Sequence, residues 1–219
     1  MAKHLDLEEQ EQLADLKHFW NRYGSAISWA LIVIFGAVAA WNGYHYWQRS
    51  QATKAAVMYD EVERAAVAGD IARLDRSLAD MQTRYGRTAY ADQAAMLAAR
   101  VYHEKGNLAA SKGALGWVAT KASDEGYKSI AQLRLSGMLL EAKDYDAALQ
   151  QVSGAMPSAF AALAADRRGD ILAAQGKKAE AKAQYQIAFT AFDLQSEYRR
   201  LVEVKLNALG VDPVGGAQK

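Results

Sequence analysis

An uncharged apolar segment near the N-terminus is the feature that most constrains this chain. Residues 23–48 contain no Lys, Arg, Asp or Glu, whereas Arg22 and Arg49 flank the segment directly. As a helix, its core at residues 25–44 would be about 30 Å long, which matches the hydrocarbon core of a bilayer. Because a backbone in lipid must satisfy its own hydrogen bonds, the segment predicts one membrane-spanning helix embedded in lipid.

Two other interpretations of this segment are weaker. A cleaved signal peptide would explain Ala37-Val-Ala39, which is similar to an A-x-A cleavage site. Signal peptides begin with a basic segment, however, whereas residues 1–22 carry five acidic and three basic side chains, and aromatic residues continue to Trp47. Helices buried in soluble domains rarely run this far without a charge. The sequence therefore predicts an uncleaved single-pass anchor, and its flanking charges leave the orientation open.

The rest of the chain has the pattern of packed helices. It contains two prolines in all, and its apolar residues recur at helical spacing without strand alternation. Turn signals recur at intervals of 33 to 37 residues: Gly69-Asp70, Gly106-Asn107, Lys143-Asp144 and Gly176-Lys177. A period of about 34 residues is typical of tetratricopeptide hairpins. The predicted fold is therefore all-α, with a single N-terminal transmembrane helix followed by a tetratricopeptide-like α-solenoid.

The positions around the turns support this register. Small or apolar residues stand where the two helices of a hairpin must approach each other: Ala99, Tyr102, Ser136, Leu139, Gly169 and Leu172 before the turns, and Leu74, Leu78, Ser111, Leu115, Ala148, Val152, Ala181 and Tyr185 after them. The unit around Gly69 is the least regular and is also compatible with a helical connector. Residues 195–209 predict a capping helix, with Tyr198, Leu201, Val202, Leu206 and Leu209 on one side and Gly210 at its end.

The chain lacks the common signatures of catalysis. None of its four histidines has the spacing of a helix-face metal pair, and it contains no nucleophile elbow, phosphate-binding loop or dinucleotide fingerprint. It has no cysteine, and beyond residue 50 its 22 basic and 20 acidic side chains nearly balance. We therefore predict no catalytic residue, cofactor, metal, nucleic-acid partner or small-molecule substrate.

Aromatic side chains are the best candidates for partner contacts, because helical solenoids hold peptides or helices on extended surfaces. Most of these rings are nevertheless expected in the core. The residues predicted to bind partners are Trp117, Tyr145, Tyr102 and Tyr185. A charge cluster, Asp166-Arg-Arg168, is instead interpreted as a solvated helix face with intrahelical ion pairs.

Several segments, in this order, carry a resemblance to a known family. They are Phe19-Trp-Asn-Arg-Tyr-Gly24, Ala55-Ala-Val-Met-Tyr59, Tyr85-Gly86, Tyr90-Ala91, Gln93-Ala-Ala-Met-Leu-Ala-Ala-Arg100 and Glu203-Val-Lys-Leu-Asn207. Together with the apolar helix and the hairpins, they resemble the ancillary SecYEG translocon subunit family, the YfgM-like proteins of Gram-negative bacteria, over nearly the whole chain.

The resemblance implies an inner-membrane protein with a cytoplasmic N-terminus and periplasmic repeats. It implies association with the SecYEG translocon and with the membrane-anchored chaperone PpiD, in a non-enzymatic scaffold that links export to periplasmic chaperones. An alternative is regulation of an envelope stress response, in which the cytoplasmic tail restrains the response regulator RcsB. An oligomerising envelope solenoid also stays open.

The domain organisation expected from these observations has four parts. Residues 1–22 form an amphipathic cytoplasmic tail, and residues 23–48 form the transmembrane helix. Residues 49–210 form the tetratricopeptide-like repeat domain, and residues 211–219 form a flexible tail.

Overall fold

A computed structural model describes residues 7–213 of this chain, with side chains from residue 12 onward. The described residues form nine α-helices and no strand, which confirms the all-α prediction. The helices are α1 (Leu7–Ala68), α2 (Ile71–Tyr85), α3 (Ala89–Glu104), α4 (Leu108–Lys121), α5 (Glu125–Glu141), α6 (Tyr145–Ser153), α7 (Ser158–Ala174), α8 (Lys178–Ala191) and α9 (Glu197–Ala208).

The chain divides into two compact units between Gln51 and Ala52. In the first unit, apolar side chains of α1 are exposed on all sides, including Trp29, Phe35 and Trp41. Among the described residues, α1 alone is long and apolar enough to cross a membrane. A helix that is apolar all round and covered by no protein is suited to lipid.

Helix α1 continues without a break past residues 22 and 48, where the sequence predicted domain boundaries. Those boundaries stay predictions. Residues 1–6 and 214–219, the outer parts of the two predicted tails, lie outside the described residues.

All four predicted turns adopt one backbone conformation. Gly69, Gly106, Lys143 and Gly176 have φ values of 65°, 76°, 61° and 77°. In each turn the next residue donates its N–H to a carbonyl five positions back, as Asn107 does to Tyr102 at 2.8 Å. This bond closes a helix C-terminus through a left-handed residue, a position for which glycine is best suited. The turn at Gly69 is therefore built like the other three.

The predicted close approaches are occupied by small buried residues. Ser111 donates its hydroxyl to the carbonyl of Ala99 at 2.7 Å, and Ser136 donates to the carbonyl of Ala148 at 3.0 Å. Each bond joins the two helices of one hairpin, α3 with α4 and α5 with α6. The short serine side chains let the helix backbones come together while a polar group still finds a partner.

Helices α3, α5 and α7 contact one another in series, and we call them the inner helices. At the C-terminal end, the predicted capping helix is α9, and Gly210 ends it with a φ of 76°. Its buried side is narrower than predicted. Val202 and Leu206 are buried, whereas Tyr198 and Leu201 are 56% and 48% exposed.

Candidate partner-binding site

Two neighbouring grooves lie on the inner helices. Groove 1 has a volume of about 370 Å³ between α3, α4, α5 and α7. Its lining residues are Ala99, Arg100, His103, Glu104, Ser111, Leu115, Arg134, Gly137, Met138, Glu141 and Arg167. Apolar side chains form its floor, and charged side chains extend from the three inner helices.

Groove 2 has a volume of about 300 Å³ and lies between α5, α7 and α9. Its lining residues are Ile130, Leu133, Arg134, Phe160, Leu163, Asp166, Arg167 and Tyr198. Arg134 and Arg167 belong to both grooves. The two grooves therefore meet at a pair of arginines and together offer an elongated surface.

A partly buried charge network forms one wall of groove 2. Lys205 of α9 donates to Asp166 at 2.7 and 2.9 Å and to Asp170 at 2.7 Å, and both aspartates lie on α7. Tyr185 of α8 donates its hydroxyl to Asp170 at 2.9 Å. Lys205 thus joins α9 to α7, and Asp170 joins α7 to α8.

Burial raises the pKa of Asp166, and the hydrogen bond from Lys205 opposes that rise. The phenol of Tyr185 has a raised pKa because it is buried and lies beside the negative charge of Asp170. Tyr185 therefore stays a neutral hydrogen-bond donor, and the network is a structural clip between α7, α8 and α9.

The interpretation of Asp166-Arg-Arg168 as a solvated face with intrahelical pairs is wrong. Asp166 is 8% exposed and pairs with a lysine from another helix. Arg168 donates to Gln184 and to the carbonyl of Val152, each at 3.0 Å. Of the three residues, Arg167 alone lines both grooves.

Two of the four predicted partner-binding residues are core residues. Tyr102 and Tyr185 are 3% and 4% exposed. Each turns its hydroxyl to an aspartate of a neighbouring helix, Asp75 for Tyr102 and Asp170 for Tyr185. Burial and the bond to Asp75 raise the pKa of Tyr102.

The other two predicted residues are half-buried. Trp117 packs against the N-terminal core cluster, and its Cζ2 atom lies 3.4 Å from the position of a Cβ added at Gly86. Tyr145 packs against the cluster formed by Ala148, Val152 and Ile171. None of the four predicted residues lines groove 1 or groove 2. Their role in partner binding stays a prediction.

Sequence reasoning missed the residues that the grooves share. Arg134 and Arg167 are 33 positions apart, close to one repeat, and each lies two residues before a small residue, Ser136 or Gly169. The equivalent positions of the two arginines in successive repeats were the sequence signal that could have identified them. Within the described residues, no three His, Asp or Glu side chains converge as metal ligands.

Comparisons with known proteins place this architecture in a family. The model of the tetratricopeptide repeat-like domain family matches residues 17–211. A protein of Neisseria gonorrhoeae, named Ancillary SecYEG translocon subunit, is 32% identical over 95% of this chain and its own full length. The chain belongs to the ancillary SecYEG translocon subunit family.

Other members of the family are more distant. Relatives with the same name from Haemophilus influenzae and Escherichia coli are 27% and 25% identical, each over 93% of this chain and 98% and 97% of their own lengths. No solved structure matches this chain. The similarity to these relatives extends over more than nine-tenths of this chain and nearly their full lengths, so it takes in both the apolar N-terminal helix and the repeats. That architecture fits a single-pass inner-membrane protein.

Proposed function

We propose that this protein is a non-enzymatic, membrane-tethered adaptor of the SecYEG translocon. The observation that carries the proposal is similarity along nearly the full chain to relatives named ancillary SecYEG translocon subunits. A stack of helical hairpins with open grooves supports binding rather than chemistry, because such repeats present extended surfaces to other proteins.

The membrane arrangement belongs to the same proposal. Residues 1–22 form a cytoplasmic tail, residues 23–48 cross the inner membrane, residues 49–210 form a periplasmic repeat domain, and residues 211–219 form a tail. A tether beside the translocon raises the effective concentration of the repeats at the exit site, so each contact can be weak. In this position the repeats link the translocon to periplasmic chaperones, with the membrane-anchored chaperone PpiD as the partner.

Site-specific photocrosslinking tests the adaptor role. A photoreactive amino acid replaces Glu141 on the rim of groove 1, Trp117 or Tyr145, and Lys178 on the exposed start of α8 is the control position. We expect translocon or PpiD subunits to be captured from the groove and aromatic positions more strongly than from Lys178. Capture of lipid and solvent alone at every position would overturn the proposal.

Protease treatment of inverted membrane vesicles tests the orientation. Repeats that face the periplasm lie inside such vesicles and are protected until detergent is added. Digestion of the repeat domain in intact vesicles would contradict the proposed orientation.

The cytoplasmic tail supports a second candidate function, restraint of the response regulator RcsB. Residues 1–22 carry five acidic and three basic side chains. This excess of acidic over basic side chains favours a separate docking segment. Deletion of residues 1–17 is expected to alter the envelope stress response while translocon association survives. An unchanged stress response after this deletion would exclude the second function.

A further inference from the structure

The two arginines shared by the grooves make no direct polar contact within the described residues. Arg134 of α5 is exposed, Arg167 of α7 is half-buried, and within the described residues neither forms a hydrogen bond or ion pair. Arg167 lies over Gly137 of α5, where an added Cβ would be 3.3 Å from its Nη1 atom. The glycine thus lets the guanidinium cross from α7 towards α5 and reach groove 1.

The neighbouring charges do not neutralise this pair. Asp166, the carboxylate on the wall of groove 2, lies in the electrostatic field of Arg167, but its ion pair is with Lys205, which it shares with Asp170. At the far side of groove 1, Glu104 lies 3.7 Å from the Nε atom of Arg100. Glu141 also lines groove 1 and is the one carboxylate of the two linings that forms no ion pair within the described residues. At the junction of the grooves, two guanidinium groups without an ion-pair partner therefore outnumber the one carboxylate, Glu141, that also has none.

Arg168 shows that α7 does not leave all of its arginines without hydrogen-bond partners. Its guanidinium donates to Gln184 and to the carbonyl of Val152 and is used within the fold. Arg167, one residue earlier, is left with its donors directed to the grooves. Arginine presents a planar fork that matches a carboxylate in two parallel hydrogen bonds.

Apolar walls border the arginines on both sides. Leu115 and Met138 line groove 1, while Phe160, Leu163 and Tyr198 line groove 2. An occupant that spans both grooves therefore carries acidic groups at its centre and apolar groups on either side. A polypeptide segment whose acidic side chains stand between apolar ones has this chemistry.

We propose that the joined grooves bind an acidic, apolar segment of a partner protein, with its carboxylates on Arg134 and Arg167. This inference rests on the proposed adaptor function and specifies the kind of segment that its repeats hold. The apolar side chains of the segment pack on Phe160 and Leu163, and the ligand is protein rather than lipid.

Peptide binding to the full chain in nanodiscs of neutral phosphatidylcholine tests the proposal. The probe is a fluorescent peptide of alternating Asp, Leu and Phe, and its Lys-for-Asp counterpart is the control. The double variant Arg134→Gln/Arg167→Gln is compared with Arg84→Gln/Arg87→Gln, which removes the same charge from exposed positions outside the grooves.

We expect the groove variant to lose affinity for the acidic peptide by about tenfold or more, because two charge-assisted contacts are removed. The control variant keeps its affinity, and Arg134→Lys/Arg167→Lys recovers part of the loss since it restores charge without the fork. Circular dichroism melting checks that the variants stay folded. The single Arg134→Gln variant provides the same comparison at an exposed position.

Three results would overturn the proposal. Equal affinity of the groove and control variants would do so, as would equal binding of the lysine peptide. Arginine-dependent binding of phosphatidylglycerol vesicles without peptide binding would assign the site to lipid headgroups. Translocon copurification of the same variants separates the two proposals, because association that persists without peptide binding leaves the adaptor function intact and removes only this inference.

Discussion

Gly169 of α7 lies directly against the ring of Tyr185 of α8, and a Cβ added at this glycine would be 2.5 Å from two ring carbons. The ring cannot move away freely, because its hydroxyl is bonded to Asp170 and its surroundings are buried. The close packing of α7 on α8 in the hairpin at Gly176 therefore requires a glycine at position 169.

Replacing that glycine tests the dependence. Gly169→Ala is expected to lower the free energy of unfolding by about 1–3 kcal/mol through overpacking. Gly113→Ala is the matched control, since a Cβ there meets nothing within 4 Å and alanine favours helix by about 1 kcal/mol. Chemical denaturation of both variants should give changes of opposite sign, and two stabilising changes would contradict the close approach.

Lys143 offers a stabilising change at a turn. It is the one non-glycine residue with positive φ among the described residues, and its conformation is disfavoured for L-residues by about 1 kcal/mol. Lys143→Gly is expected to raise the melting temperature, with a gain of about 0.5 kcal/mol after the greater unfolded-state entropy of glycine is included. Gly176→Ala, at the equivalent turn, should lower the melting temperature, with a loss of stability of similar size. A lower melting temperature for Lys143→Gly would exclude this explanation.

The clip around Lys205 gives a third prediction. Lys205→Met leaves Asp166 and Asp170 charged, close together and without their ammonium partner, at a cost of about 3 kcal/mol. Lys128→Met breaks an exposed pair with Glu125 and should cost at most about 0.5 kcal/mol. Hydrogen exchange should show faster opening of α9 in Lys205→Met. Unchanged protection of α9 would mean that the apolar contacts of Val202 and Leu206 hold the helix without the clip.

Asp92 makes stability depend on pH. This carboxyl is 3% exposed, its Oδ1 atom has no hydrogen-bond partner within the described residues, and burial together with Asp124 raises its pKa to about 6. Because the folded state holds the proton more tightly than the unfolded state does, the free energy of unfolding falls as pH rises from about 4 to about 6.

Asp92→Asn removes the energetic cost of ionising this buried carboxyl group. The variant should be more stable than the original chain by about 1 kcal/mol at pH 8, a value that allows for the favourable place of a carboxylate in the first turn of α3. The gain should disappear below about pH 4, where both states of the original chain are protonated. Asp80→Asn, at an exposed position, is the control, and denaturation curves across this pH range make the comparison. An equal gain at every pH would exclude titration as its cause.

The fold was predictable where the determinants are local. A left-handed residue that ends a helix favours glycine, and an asparagine or aspartate that begins the next one caps it, so Gly106-Asn107 marks a turn in the sequence alone. The same holds for Ser136 and Gly169, since small residues at a fixed place in the repeat indicate close helix approach.

The candidate site was less predictable because it is assembled across repeats. Asp166 and Lys205 are 39 positions apart, and nothing in the local charge pattern indicates their pairing. Arg134 and Arg167 line the same grooves because α5 and α7 are adjacent, and that adjacency is a tertiary contact. Tyr102 and Tyr185 stood at packing positions of the predicted register, and that register was the better guide to their burial than their aromatic character.

The inner helices touch in series, and every extensive contact within the described repeats joins helices at most two places apart in the chain. Removing the last helix would therefore leave the packing around Leu74 and Val118 untouched, and a pulling force at the C-terminus would unravel the stack one hairpin at a time. A load applied at the C-terminal end is thus borne by a structure that can unfold in steps instead of all at once.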